Sequence, residues 1–220
     1  MDDQVTVTGR IEVSTKPGIA LADASDAVVW LTPLESTMEP QSTRPKRNLQ
    51  LVQRHKTFSP HLLVVPVGST VEFPNRDPFF HNVFSLFEGK RFDLGLYEAG
   101  STRTVVFNRV GISYIFCNIH PEMSAVVVAL KSPYYAVSDR RGTITIANVP
   151  AGRYEVQVWH ERVLPDTLNA LQRSVTISQA TNSLGVIRLP EERSLVRDHK
   201  NKYGQDYDNP IPSTPGYTRP

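Results

Sequence analysis

Apolar and polar residues alternate at period two through Val5-Thr6-Val7-Thr8-Gly9-Arg10-Ile11-Glu12-Val13, the pattern of a strand with one buried face. Ala27-Val28-Val29-Trp30-Leu31 is more continuously apolar and predicts a deeper strand that stops at Pro33. Further short runs rich in Val, Ile, Thr and Phe follow at 49–54, 62–67, 70–73, 92–95, 102–107, 111–116 and 125–130. Phe58-Ser59-Pro60 and Gly68-Ser69 read as turns between them. The last two runs are almost wholly apolar, as strands of packed sheets can be. Beyond them, 138–146, 148–159, 174–177 and 186–189 supply four more strand-like segments. Nothing carries a helical period except one turn's worth of residues at 166–172. The expected fold is all-β.

Two stretches break the pattern. Residues 35–48 lose periodicity and carry Pro40, Arg44, Pro45, Lys46 and Arg47, which reads as a linker with a basic flank, either solvated or used for docking. From Glu191 to the end, charges of both signs mix with Tyr203, Tyr207, Tyr217 and prolines. That tail has no core pattern, so it is expected to be disordered or laid along a surface.

At 220 residues the chain can bury two modules of about 90–100 residues each. Lysine and arginine total 24 against 22 acidic residues, a formal charge of +2 that gives no reason to expect nucleic-acid binding. A single cysteine excludes an intramolecular disulfide. No apolar run reaches membrane-spanning length. Met1-Asp2-Asp3-Gln4 leads straight into a strand pattern without the apolar stretch of an export signal.

The chemistry concentrates in Cys117-Asn118-Ile119-His120-Pro121-Glu122-Met123, placed just after the apolar run 112–116. A loop closing a strand end can aim a thiol, an imidazole and a thioether with the spacing Cys-x2-His-x2-Met at one point. With a second imidazole, that is the ligand set of a mononuclear blue-copper site. His81 is the candidate, in Phe79-Phe80-His81-Asn82-Val83-Phe84-Ser85, a loop expected after the turn-like Asn75-Arg76-Asp77-Pro78. A buried structural cysteine is the plain alternative. Structural zinc is another, although its sites favour several thiolates and the thioether argues against it. His55 and His61, flanking 58–60, offer a weaker second metal site. His160 reads as a partly exposed structural histidine or a contact near the metal face, and His199 as solvated. No nucleophile triad, phosphate-cradling glycine loop or carboxylate pair stands out, so no enzyme is expected.

On these residues, positions 48–130 resemble the cupredoxins, and the short Cys117-to-Met123 loop is most similar to amicyanin. The resemblance implies a Greek-key β-sandwich holding one type 1 copper ion through His81, Cys117, His120 and Met123. It implies that Asn82 ties the two ligand loops together, with Asn118 standing where the family has a hydroxyl residue. It also implies that His120, Pro121, Phe79 and Phe80 form the surface where electrons pass to and from transient redox protein partners. The implied location is periplasmic or otherwise extracytoplasmic, after removal of an export signal. Residues 139–159 resemble carboxypeptidase regulatory-like (transthyretin-like) modules, whose opening strands match residues 7–11 and 27–31. The implied architecture is a smaller β-sandwich of residues 4–35 and 131–190 into which the copper module 48–130 is inserted, with 191–220 as a tail. A tandem arrangement with an N-terminal strand extension is the alternative. The expected function is electron transfer; a copper carrier or sensor and a structural subunit of an extracytoplasmic complex are the rivals.

Overall fold

The computed structural model describes residues 4–16, 19–35, 49–86, 89–191 and 200–207. The proposed linker residues 36–48, His199 and most of the tail lie outside these. The chain is all-β, as its alternation predicts. Its one helix among the described residues, Pro165–Ala170, is a short piece with proline in its first turn and Leu168 buried beneath it.

Strands β1 (Gln4–Lys16), β2 (Ile19–Ala20) and β3 (Val28–Pro33) open the chain. They pair with strands that come much later: β13 (Tyr135–Val137), β14 (Thr143–Pro150), β15 (Gly152–Trp159), β16 (Arg173–Ile177) and β17 (Ser183–Pro190). One sheet has the order β14-β1-β17, with β2 beside β1, and the other the order β13-β3-β15-β16. Between these segments lie β4 (Val52–Arg54), β5 (Thr57–Ser59), β6 (Leu62–Pro66), β7 (Ser69–Pro74), β8 (His81–Ser85) and β9 (Phe92–Tyr97). They are followed by β10 (Thr102–Phe107), β11 (Gly111–Cys117) and β12 (Ser124–Leu130). These make a five-stranded sheet, β6-β12-β11-β8-β9, the pair β10-β7 and the hairpin β4-β5; isolated bridges join Gln50 to Glu72 of β7 and Gln53 of β4 to Asn75.

The apolar run of β12 has a specific cause. Ala125, Val127 and Ala129 enter the cluster that contains Cys117 and Met123. Val126, Val128 and Leu130, on the opposite face, enter the cluster built by β1, β3, β14, β15 and β17. The five-stranded sheet is therefore covered on both sides, so neither face of β12 tolerates a polar residue. Each valine buried this way contributes about 1.5–3 kcal/mol, which fixes the sheet against its neighbour.

Two local expectations change. The expected turn at Phe58-Ser59-Pro60 is shifted: residues 57–59 are a strand, the chain reverses before them at His55-Lys56, both at φ 55°, and bends after them at Pro60-His61. His81 is not on a loop but is the first residue of β8, whose five side chains are all buried between β11 and β9. Pairing with two neighbours outweighs the loop-like look of the aromatic and polar residues around it.

An ion pair also crosses from one layer to the other. His61 Nε2 lies 2.7 Å from Glu161 Oε2, and its Nδ1 is 3.2 Å from the Ser124 carbonyl. The Glu161 hydrogen bond raises the imidazole pKa above its ordinary 6.5 against the opposing effect of burial. A group raised by its partner stabilises the fold fully below its unfolded pKa and loses that contribution as pH climbs through the folded one. The side chain is 43% exposed, so the pair is worth at most about 1 kcal/mol. His61→Gln is expected to melt slightly below the parent at pH 5.5 and together with it at pH 8.5. Thermal unfolding at the two pH values checks this, and a gap that widens toward pH 8.5 contradicts it.

Candidate metal centre

The Asn75-to-Pro78 turn and the end of β11 bring the two halves of the site together. Asn75 shapes the turn: its Oδ1 accepts from the Asp77 N–H at 3.0 Å and its Nδ2 donates to the Phe79 carbonyl at 2.7 Å. The chain then enters β8 with His81 facing inward, wholly buried. From the other side, β11 ends at Cys117 and the chain turns back on itself. Met123 N–H donates to the His120 carbonyl at 3.1 Å, and Cys117 N–H to the Met123 carbonyl at 3.3 Å. These bonds close the loop that the spacing Cys-x2-His-x2-Met requires.

Three donor atoms converge. Cys117 Sγ is 3.6 Å from His81 Nδ1 and 3.5 Å from His120 Nδ1, and the two Nδ1 atoms are 3.1 Å apart. The centre of a triangle this size lies about 2 Å from each corner, the length of a metal–imidazole bond and slightly less than a metal–thiolate bond. Among the described residues this is the group of histidine, cysteine and acidic side chains placed to hold a metal ion. Met123 is fully buried in the cluster that also holds Cys117.

His81 is set up for ligation by a residue that sequence reasoning did not single out. Its Nε2 lies 2.9 Å from Asp77 Oδ2, with both side chains buried. A carboxylate there accepts the Nε2 proton and leaves the lone pair on Nδ1, the atom that faces the other donors. Burial opposes ionisation of Asp77, but the N–H groups of Lys56 and His55 and the His81 ring outweigh it and hold the carboxyl below its usual range. Those main-chain bonds run 3.0 Å from Lys56 and 2.6 Å from His55. The sequence hint was an aspartate four residues before the histidine, inside a turn.

Burial, with the Lys56 ammonium among the lesser causes, lowers the His120 pKa, which favours the neutral ring that can ligate. Burial also pushes the Cys117 thiol above its ordinary range despite the N–H groups around it. Ligation as thiolate therefore releases a proton to the solvent. The donor set fits a soft metal: one sulfur and two imidazoles, prearranged, with a thioether in the same loop.

Phe79 is half-buried with its ring centroid 5.4 Å from both His81 and His120. Phe80, Ile119 and Pro121 are exposed, and His120 is partly so. The two asparagines do not join through their side chains. Asn82 Nδ2 donates to Asp93 Oδ1 at 2.7 Å and to the Gly95 carbonyl at 3.0 Å, whereas Asn118 Oδ1 accepts from the Lys202 N–H at 2.9 Å. The loops are tied by main chain instead, Asn118 N–H to Asn82 carbonyl at 2.9 Å. An amide is longer than a hydroxyl and here reaches outward to the chain's C-terminal part. His55 sits in the hairpin turn and His61 pairs with Glu161, away from any gathered ligand set. His160 is buried rather than partly exposed, and its Nδ1 accepts from the Arg162 N–H at 3.3 Å.

No protein-family model matches the chain, and no curated protein matches it. Among solved structures, a purple cupredoxin from Nitrosopumilus maritimus is 26% identical, with a TM-score of 0.35, covering 38% of this chain and 100% of its own. Amicyanin from Paracoccus versutus is 21% identical over 40% of this chain and 85% of its own, with a TM-score of 0.35. A copper-containing nitrite reductase from Thermus scotoductus is 22% identical over 46% of this chain but 26% of its own, with a TM-score of 0.38. These matches give no support to the resemblance of residues 139–159 to carboxypeptidase regulatory-like modules. Each match spans less than half of this chain. The donor atoms of the His-Cys-His cluster, by their own chemistry, fit a type 1 copper site.

Proposed function

We propose that this chain is a type 1 copper protein that carries single electrons between redox partners outside the cytoplasm. The observation that supports this most is the convergence of His81 Nδ1, His120 Nδ1 and Cys117 Sγ within 3.6 Å of one another at the buried end of a sheet. Bound copper supplies a one-electron couple between its two oxidation states. The chain's own residues supply the rest. Cys117 as thiolate, His81 and His120 would hold the ion, and the buried Met123 thioether in the same loop would be a weaker, soft donor. Asp77 fixes the His81 ring, and packing on both faces of the five-stranded sheet resists movement of the ligands when the charge changes.

His120 is the residue of this set that reaches the surface, flanked in the chain by exposed Ile119 and Pro121 and with the Phe79 ring against it; Phe80 is exposed as well. We read that apolar rim as the surface for brief encounters with donor and acceptor proteins, which small interfaces suit. In this reading residues 48–130 form the copper unit, inserted between segments 4–35 and 131–190 of a second sandwich that serves docking or assembly. No described helix is long and apolar enough to cross a membrane.

Titration of the metal-free protein with Cu(II) tests the reading. One equivalent is expected to give an intense visible charge-transfer band and a reversible one-electron wave, with the metal retained against a mild chelator. A saturable blue band with rapid loss to the chelator favours copper delivery instead. Absence of the band refutes the assignment.

A further inference from the structure

We propose that residues 200–207 are a strap that positions the Cys117-to-Met123 loop, with Tyr207 and Lys202 as its positioning residues. The inference rests on the copper reading for its purpose, but not for its geometry. Its contacts land beside both ligand segments. The Tyr207 hydroxyl donates to the Cys117 carbonyl at 3.0 Å. The Lys202 N–H donates to Asn118 Oδ1 at 2.9 Å, and Lys202 Nζ lies 2.9 Å from Asp93 Oδ2. Asp93 in turn accepts from Asn82, the residue after His81, and from the Gly95 N–H at 2.9 Å. Since Asn118 N–H also binds the Asn82 carbonyl, the strap closes a ring of bonds through the residues that follow His81 and Cys117.

A tail resting by chance on a surface would place its contacts on whatever side chains it met. This one instead has a turn of its own, built to present them. Asn201 Oδ1 accepts from Tyr203 N–H at 2.9 Å and from Gln205 N–H at 3.0 Å. The Asn201 N–H donates to the Gln205 carbonyl, and Gly204 takes the φ of 77° that a side chain would strain. Lys200 pairs with Asp206 across the turn. Lys202 is only 19% exposed along its side chain, and the exposed Tyr203 ring backs it, its centroid 5.2 Å from Lys202 Nζ. Cys117 carries the thiolate, so holding its carbonyl and its neighbour's amide limits how far the sulfur can swing from the two imidazoles. The strap does for Asn118 what a shorter hydroxyl side chain at that position could do by itself.

The test uses the full chain with three variants. Tyr207→Phe deletes the donor to Cys117, Asn118→Leu deletes the acceptor for Lys202, and Gln205→Ala, whose side chain is exposed, is the control. In the metal-free protein, amide exchange at Asn118 and Met123 is expected to be about five- to tenfold faster in each of the first two, the effect of losing one hydrogen bond. The control should exchange at the parental rate. In copper-loaded protein, the copper–sulfur stretching frequency and the reduction potential should move in Tyr207→Phe and stay in Gln205→Ala. Parental exchange rates in both Tyr207→Phe and Asn118→Leu, with the fold intact by circular dichroism, would overturn the strap. A parent without a visible band would instead overturn the copper reading, and the metal-free exchange rates would still decide this one.

Discussion

Cys117→Ser is expected to lose the intense visible band completely while still binding Cu(II) through its imidazoles. The band arises from charge transfer between thiolate sulfur and copper, and a hydroxyl oxygen at the same position offers no comparable transition. The chain has one cysteine, so no second thiolate can substitute for it. The geometry also predicts what stays. His81 Nδ1 and His120 Nδ1, 3.1 Å apart, should stay gathered because each ring has an anchor besides the sulfur: His81 is held by Asp77, and His120 is packed against Phe79. Serine leaves a polar group in a fully buried position, a cost of about 1–3 kcal/mol in the metal-free protein. Thermal unfolding of the metal-free variant therefore separates a chemical loss from a structural one. A variant that keeps its fold and its copper but also keeps the band would show that the thiolate is not its source.

How much of this site could be read along the chain depends on sequence distance. Cys117, His120 and Met123 lie within seven residues, so their spacing alone places them on one closing loop. His81 lies 36 residues from Cys117, and its candidacy rests on the residues around it rather than on a ligand spacing. Asp77 was visible only as part of a turn, because its role depends on the hairpin at His55-Lys56 folding back onto it. The contacts from Tyr207 and Lys202 join residues 90 and 84 positions apart, and no periodicity encodes such a meeting. The strands were largely legible because alternation is local. That β12 is apolar on both faces was legible too, but its reason was not, since the second layer comes from the two ends of the chain.

Asp77→Asn is expected to weaken metal binding about 10- to 100-fold, the usual effect of removing the partner that orients a histidine ligand. An amide can turn its NH2 toward His81 Nε2, which then accepts, and the ring proton moves to Nδ1, the atom needed for the metal. The same carboxylate performs a second task. His55 and Lys56 both sit at φ 55°, the left-handed conformation of a two-residue hairpin turn that favours Asn-Gly. Neither residue is suited to it, and such positions cost on the order of 1–3 kcal/mol each. Their N–H groups are caught by the two oxygens of Asp77, and hydrogen bonds to a charged group return about 1.5–3 kcal/mol apiece. Asp77→Asn should therefore lower the unfolding temperature of the metal-free protein as well as its copper affinity. The two effects can be separated by replacing His55-Lys56 with Asn-Gly in the Asp77→Asn background. That change relieves the turn but touches nothing at Nε2, so stability should return while affinity stays low. If affinity recovers along with stability, Asp77 acts on the metal site only by holding the hairpin, and the assignment of its carboxylate to the His81 proton fails.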